Sequence, residues 1–475
     1  MADFDVLVIG AGPGGYVAAI KAAQHGKKTA IIEREHLGGI CLNWGCIPTK
    51  ALLKSAEVLQ TLKHAKAYGI QAGEAKADFP AVMARSREVA KGMAGGIAFL
   101  MKKNKITVID GTAVLAGGLA GGLAGDKAGA HTVSVTQADG ATKTVSAAAV
   151  IIATGHRTRS FPNLPIDGDR VMSYRHALAL TEQPKSVLCV GAGAIGMEFG
   201  YFWNALGTTV TVVEALDRVL PNEDHEVSAL VEKSFTKAGV TVKTATKVEK
   251  LEVSKKGVTV HLEKGGERES ITVDRVLVAV GFLANTDGLA LDKVGVALDE
   301  RGFIQVDANQ LTSVPGIYAI GDVAGKQLLA HKASFEGEAA VGHICGHPQP
   351  VDYAQIPGCT YCQPQVASLG LTEKKAKDQG RTLKIGRFQF LASGKAKAIG
   401  HPEGFVKLIF DAEFDQLIGA HLVGFDATEL LGELSVALKL ESTATELMTT
   451  IHAHPTLSEA IMEAAADALG VCVHQ

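Results

Sequence analysis

Two cysteines with four residues between them, Cys41 and Cys46, lie in Gly38-Gly39-Ile40-Cys41-Leu42-Asn43-Trp44-Gly45-Cys46-Ile47-Pro48-Thr49-Lys50. A thiol pair at this spacing could do disulfide chemistry. On a regular helix the two side chains point in different directions. A distorted first turn could bring their Cα atoms within disulfide range, and Gly45 and Pro48 are residues that distort helices. A helix N-terminus and the Lys50 ammonium would both favour a thiolate over a thiol. Spacing alone leaves open a second reading, two unrelated buried cysteines. A proton acceptor for such chemistry should ionise near neutral pH, which is the range of histidine. One candidate is His454, in His454-Pro-Thr-Leu-Ser-Glu459, with a carboxylate five residues further on. A histidine near a C-terminus is more often a surface residue; Glu459 and the bracketing Pro455 favour a functional one.

The elements that must hold these groups can be read from two repeats of one pattern. Val6-Leu-Val-Ile9 is a continuous apolar run, as a buried parallel strand requires. It is followed by Gly10-Ala-Gly12-Pro-Gly-Gly15, an alanine-rich helix, the strand Thr29-Ala-Ile-Ile32 and Glu33. Gly10 permits the tight turn, Gly12 lets backbone approach a pyrophosphate, and Gly15 lets helix pack on strand. The helix N-terminus then faces phosphate, and Glu33 can accept from a ribose diol. The pattern returns at Ser186 to Val190, with Gly191-Ala-Gly193-Ala-Ile-Gly196, the strand Val210-Thr-Val-Val213 and Glu214. A carboxylate at Glu214 accepts from a free 2′-OH and repels a 2′-phosphate, so the second nucleotide should be NAD and not NADP. The neighbouring Arg218 reads as a solvated surface charge and not as a phosphate ligand.

The rest of the composition sets bounds. At 475 residues the chain is long enough for three or four domains, and 47% hydrophobic with 20% charged residues is ordinary for a globular protein. A formal charge of −3 gives no pull toward nucleic acid or anionic lipid. No apolar run approaches the ~18 residues of a membrane span. Met1-Ala2-Asp3 leads straight into a strand, which reads as leaving no room for a signal peptide and suggests the cytoplasm, although a matrix protein after cleavage of its presequence would look the same. Seven cysteines spread over the chain do not form a secreted disulfide framework. Cys359 and Cys362 have C-x-x-C spacing, but no second pair follows, so they read as ordinary strand residues and no metal is expected. Cys472 reads as a frayed terminal thiol, and the Gly/Ala-rich stretch from Leu115 to Ala130 as a flexible hairpin tip.

The redox segment Gly-Gly-x-Cys-Leu-Asn-x-Gly-Cys-Ile-Pro-Thr-Lys resembles that of the pyridine nucleotide–disulfide oxidoreductases, and their dihydrolipoamide dehydrogenase branch most closely. Further motifs follow in the family's order. Ala153-Thr154-Gly155 is similar to the crossover out of the FAD domain, and Ala319-Ile-Gly321-Asp322 to the second flavin motif. Leu329-Ala330-His331 resembles the segment beside the flavin ring, and His454 to Glu459 the catalytic His–Glu motif. The resemblance implies that Cys41 is the interchange thiol and Cys46 the charge-transfer thiol against the flavin. Lys50 would lie near the flavin edge and pair with Glu198, itself assigned with Gly281 to the NAD site. Asp322 would hold the ribityl chain. His454, oriented by Glu459, would act on the disulfide of the other subunit. Trp44 departs from the small aliphatic residue expected there and could crowd the substrate entrance.

The expected fold is α/β, with two Rossmann-like dinucleotide-binding domains and a C-terminal α+β dimerisation domain. The boundaries read as 1–155 for FAD, 156–281 for NAD, 282–350 returning to FAD, and 351–475 for the interface. The expected function is that of a homodimeric dihydrolipoyl dehydrogenase. It would take electrons from a lipoyl-bearing acyltransferase or carrier protein, through Cys41–Cys46 and FAD, to NAD. The rivals are a glutathione- or mercuric-reductase-like enzyme and a flavin-bearing structural subunit without turnover.

Overall fold

The structure, a computed structural model, describes residues 2–116 and 130–474. Most of the Gly/Ala-rich stretch, 117–129, therefore lies outside the described residues; strand counts below refer to the described ones. The chain divides into two compact units, 1–51 with 83–159 and 281–351, and 52–82 with 160–280 and 352–475.

In the first unit the apolar run forms the strand Phe4–Ile9, parallel to Thr29–Glu33 on one side and to Thr142–Ile152 on the other. Thr107–Asp110 continues the parallel part, Ile317–Ala319 pairs alongside Thr142–Ile152, and His131–Thr136 and Thr112–Ala116 add an antiparallel edge, giving seven strands. Strand side chains alternate between faces. Leu7 and Ile9 accordingly enter one core with Ile32 and Ile152, while Val6 and Val8 enter another with Ile31 and Ile151. Both faces are covered, so an unbroken apolar strand is what this position demands. On the second face the helix Pro13–Gln24 packs against the helix Ala330–Ile344. A Cβ on Gly14 would come within 2.8 Å of the Ala333 carbonyl, and one on Gly337 within 2.8 Å of the Gly14 carbonyl, so these helices meet backbone to backbone.

The second unit repeats the plan. Ser186–Val190 lies between Thr209–Val213 and Arg275–Val278 in a five-stranded parallel sheet completed by Thr241–Lys243 and Val171–Met172. An antiparallel meander, Lys247–Ser254, Gly257–Lys264 and Glu267–Val273, is inserted before its last long strand. The C-terminal segment is α+β, as expected. It has five antiparallel strands, ordered 358–360, 365–370, 417–424, 404–411 and 383–389, with the helices Ala427–Lys439, Ala444–Thr449 and Glu459–Ala468. The last helix packs directly onto the sheet, because a Cβ on Gly386 would collide with the Ala464 carbonyl. Among the described residues no helix is long and apolar enough to cross a membrane.

Candidate active site

Cys41 sits in the short helix Gly39–Trp44. The chain breaks at Gly45 (φ −145°, ψ −114°), and Cys46 opens the long helix Cys46–Lys63. The break does what a regular helix could not. The two Cα atoms lie 4.7 Å apart and the sulfurs are joined as a disulfide, inside the range such bonds require. Cys46 is exposed and Cys41 is half-buried against the apolar core below the helix Pro13–Gln24. As the first residue of its helix, Cys46 lies in the field of unsatisfied N–H groups that favours a thiolate, and Lys50 follows one turn later. Asn43 anchors the segment by donating to the carbonyls of Leu37 and Gly39, at 3.0 and 2.9 Å. Gly39 packs so close to Gly12 that a Cβ would lie 2.6 Å from the Gly12 Cα, which ties the redox turn to the first glycine fingerprint.

The two fingerprints have one geometry. Gly10 and Gly191 have φ of 102° and 100°, and a Cβ on either would collide with the carbonyl of Ala153 or Ala279. Gly12 and Gly193 have nothing within 4 Å of an added Cβ, so open space lies before their backbones. Gly15 and Gly196 abut the carbonyls of Gly10 and Gly191, where any Cβ would collide. Thus the three glycines of each set do the three jobs that a pyrophosphate cradle requires. Glu33 receives the Ala11 N–H at 2.7 Å, and Glu214 receives the Ala192 N–H at 2.8 Å. Further N–H groups, from Arg34 and Glu35 and from Leu216, hold the second oxygen of each. A carboxylate has about four acceptor sites, so both can still accept from a ribose. The residues present fit two dinucleotides.

Other expected residues of the first unit converge on the same end of its sheet. Thr154 Oγ1 donates to the Asn285 carbonyl at 2.8 Å, Asn285 returns a bond to the Thr154 carbonyl at 2.9 Å, and the Asn285 N–H reaches Gly155 at 3.0 Å. Gly281 accepts from the Arg159 N–H at 3.0 Å. Asp322 pairs with His156 Nδ1 at 2.6 Å, and the His156 ring lies 3.9 Å from that of Phe282. Leu329 caps the helix that Ala330 and His331 begin.

Three groups here went unrecognised in the sequence. Lys332 and Glu336 are fully buried. Lys332 Nζ donates to the carbonyls of Gly321 and Gly325, at 3.0 and 2.9 Å, and to Glu336 at 3.0 Å; Glu336 in turn receives the Gly321 N–H at 2.7 Å. The pair therefore clasps both ends of the turn that presents Asp322. Its signal was an i,i+4 Lys–Glu spacing directly after Leu329-Ala330-His331. The third is His156, adjacent to the Gly155 motif.

In the second unit Glu198 is buried and accepts from the Tyr361 N–H at 2.9 Å. His454 Nδ1 meets Glu459 at 2.9 Å, and Glu459 also receives the Thr456 N–H at 2.8 Å. Burial pushes the Glu459 carboxyl up, but the bonds from Thr456 and His454 outweigh it and hold it below the usual range. The His454 side chain keeps 79% of its exposure, so the described residues of one chain leave the imidazole that Glu459 orients largely open. Ile451 is 97% exposed, and Val436 and Leu440 are also open. An apolar surface of this kind marks an interaction face. Lys407 is buried on the strand Gly404–Asp411 with carboxylates of Asp224, Glu226 and Glu373 at 2.9, 2.6 and 2.7 Å.

Two expectations are corrected. Cys472 is not frayed: it packs on the C-terminal core and donates to Glu463 at 3.0 Å, and burial with that carboxylate pushes its thiol to about 11. Arg218 is not a solvated charge: it is half-buried, held by Asp217 and by the Pro221 carbonyl at 3.2 Å each. Cys359 lies on the strand Gly358–Thr360, and buried Cys362 donates to the Pro364 carbonyl at 3.3 Å.

The sequence profile of the pyridine nucleotide-disulphide oxidoreductases matches residues 4–337, and that of their dimerisation domain matches residues 356–465. A dihydrolipoyl dehydrogenase of Chlorobaculum tepidum is 49% identical over 470 residues, 98% of this chain and 97% of that protein. One of Rhizobium etli is 48% identical, covering 98% of each. Among solved structures, the crystal structure of LpdA from Mycobacterium tuberculosis superimposes with a TM-score of 0.90 at 29% identity, over 97% of this chain and 99% of that one.

Proposed function

The chain belongs to the pyridine nucleotide-disulphide oxidoreductase family, and on that footing we propose that it is a dihydrolipoyl dehydrogenase. The observation that carries this reading is the Cys41–Cys46 disulfide, whose exposed Cys46 opens a helix beside the first dinucleotide cradle. The division of labour we propose puts FAD on 1–155 with 282–350, NAD on 156–281, and the dimer contact on 351–475. FAD would rest on Gly10, Gly12, Gly15 and Glu33, with Lys50, Thr154, Gly155, Asp322 and the segment Leu329 to His331. NAD would rest on Gly191, Gly193, Gly196, Glu198, Glu214 and Gly281. When bound, FAD supplies the two-electron relay between the dithiol and NAD.

The residues of the chain carry the thiol chemistry. A dihydrolipoyl thiolate attacks the Cys41 sulfur; an S–S bond to substrate forms and the Cys41–Cys46 bond breaks, with Cys46 leaving as thiolate. The second lipoyl thiol then attacks the mixed disulfide, closing the lipoyl ring and releasing Cys41. His454 takes the proton of the attacking thiol, and Glu459 fixes which ring nitrogen faces it. The exposure of His454 and its place in a dimerisation domain support its supply across a homodimer. The natural donor would be a lipoyl group on an acyltransferase or carrier protein, in the cytoplasm. Glu214 favours NAD, which disfavours the glutathione-reductase reading. The test is NADH oxidation by the purified holoenzyme with lipoamide as acceptor. Turnover with glutathione disulfide and NADPH but not with lipoamide and NADH would overturn the assignment.

A further inference from the structure

Trp44 ends the helix Gly39–Trp44 and stands two residues before Cys46. Arg87, from the helix Phe79–Lys103, lays its guanidinium over the indole, with Cζ 4.1 Å from the ring centroid. Its Nη1 is buried and has no hydrogen-bond acceptor among the described residues, and burial works against its charge. Nearby Arg85 differs, since its Nη1 reaches the Ala51 carbonyl at 2.9 Å. Arg87 as a whole is half-buried; a guanidinium nitrogen withdrawn from water normally takes a carboxylate or carbonyl, and an indole face answers only part of that need. A methionine would cover the ring as well without the cost of burying a charge. The charge therefore has a use that the disulfide state does not display.

Reduction supplies one. Two electrons entering the Cys41–Cys46 bond break it; one sulfur takes a proton and the other remains a thiolate, so the segment gains one negative charge. Building on the proposed dithiol chemistry, we propose that Arg87, seated on Trp44, is a positioning residue that favours the reduced, thiolate form of the Cys41/Cys46 pair. Its cation lies on the ring of a residue between the two sulfurs in sequence. The indole fixes the guanidinium beside the redox turn without forming an ion pair that would neutralise it. With Trp44 two residues from Cys46 and the guanidinium 4.1 Å from the indole centroid, a charge-to-sulfur separation on the order of 12 Å lies within reach of these side chains. At an effective dielectric constant of about 20 this separation biases the thiol–disulfide equilibrium by about tenfold, or about 30 mV for a two-electron couple.

The test equilibrates the holoenzyme with graded ratios of reduced to oxidised dithiothreitol. The disulfide fraction is then read by alkylation with iodoacetamide and mass spectrometry. R87M should shift the midpoint about tenfold toward the disulfide, and its two-electron-reduced form should show weaker long-wavelength thiolate–flavin absorption. R87K, which keeps the charge, should stay within about threefold of wild type. W44V, which removes the platform and keeps the arginine, should move in the same direction as R87M and serves in its place if R87M does not fold. A wild-type midpoint in R87M and W44V overturns the inference, and so does R87K shifting as far as R87M. If the wild-type pair accepts no electrons from the couple at all, the proposed function fails instead, whatever Arg87 does.

Discussion

Replacing Lys332 by methionine probes the clasp on the Asp322 turn. Lys332 and Glu336 are both fully buried, and the lysine makes two of the three bonds that join the pair to Gly321 and Gly325. Lys332→Met keeps the stem volume but takes the Lys332 ammonium away from the buried Glu336 carboxylate. Breaking a buried pair in this way costs about 3–5 kcal/mol. The Gly321 and Gly325 carbonyls also lose their donor. In the double variant Lys332→Met/Glu336→Gln no charge remains, and the Gln carbonyl can still accept from the Gly321 N–H. About 2 kcal/mol should therefore return, with the two carbonyls accounting for the remainder at about 1 kcal/mol each. Because the turn carries Asp322, the loss should appear as weaker FAD binding, about 100-fold or more in the single variant and about 30-fold in the double, since about 1.4 kcal/mol corresponds to tenfold. The assay is the dissociation constant for FAD, from the fluorescence of released flavin, beside the thermal midpoint of the flavin-free protein. Equal FAD affinity in wild type and Lys332→Met, or a double variant weaker than the single, would refute the reasoning.

Cys41→Ser should retain FAD and show the long-wavelength thiolate–flavin band without any reductant, because Cys46 is left as an unpaired thiolate at a helix N-terminus; an oxidised-flavin spectrum at neutral pH would contradict its role. His454→Gln should keep FAD and NADH-driven flavin reduction but lose lipoamide turnover by about 10²–10⁴. Subunit exchange with Cys41→Ser should restore about half the activity per heterodimer, and confirmed exchange without recovery would place His454 outside the partner's reaction. Glu214→Arg should weaken NAD and improve NADP use, since repulsion at the 2′ position becomes attraction; an unchanged ratio of kcat/KM values argues against the second fingerprint. The bond to Arg387, with Lys407 and against burial, holds Glu226 down from 4.5 to about 2. A carboxyl depressed on folding stabilises the protein above 4.5, and that contribution is lost as pH falls toward about 2. Denaturation of wild type and Glu226→Gln should thus differ by about 1 kcal/mol at pH 7, after allowance for solvent screening, and the difference should shrink below pH 4.5 and close near pH 2.

Much of the site was legible because its chemistry is local. Gly10, Gly12 and Gly15 act through backbone conformation and close approach within one strand–turn–helix, so their spacing states their task, and Gly191, Gly193 and Gly196 repeat it. The disulfide is equally local: Gly45 breaks the helix between the two thiols and closes the pair. The apolar runs at residues 6–9 and 187–190 need no partner to be recognised, since an unbroken apolar run of this length fits a strand covered on both faces. What the tertiary structure decided are the groups whose sense depends on a distant neighbour. Lys332, Lys407 and Arg87 carry no signal of burial in the sequence. Each is buried or half-buried because another segment supplies a carbonyl, a carboxylate or an indole face. Cys472 read as a loose end until Glu463, on a helix that also carries Glu459, was found to hold it. A charge is tolerated inside only when its partner is in place, and which residue becomes that partner is fixed by packing between segments far apart in the chain, a relation that spacing along the sequence does not encode.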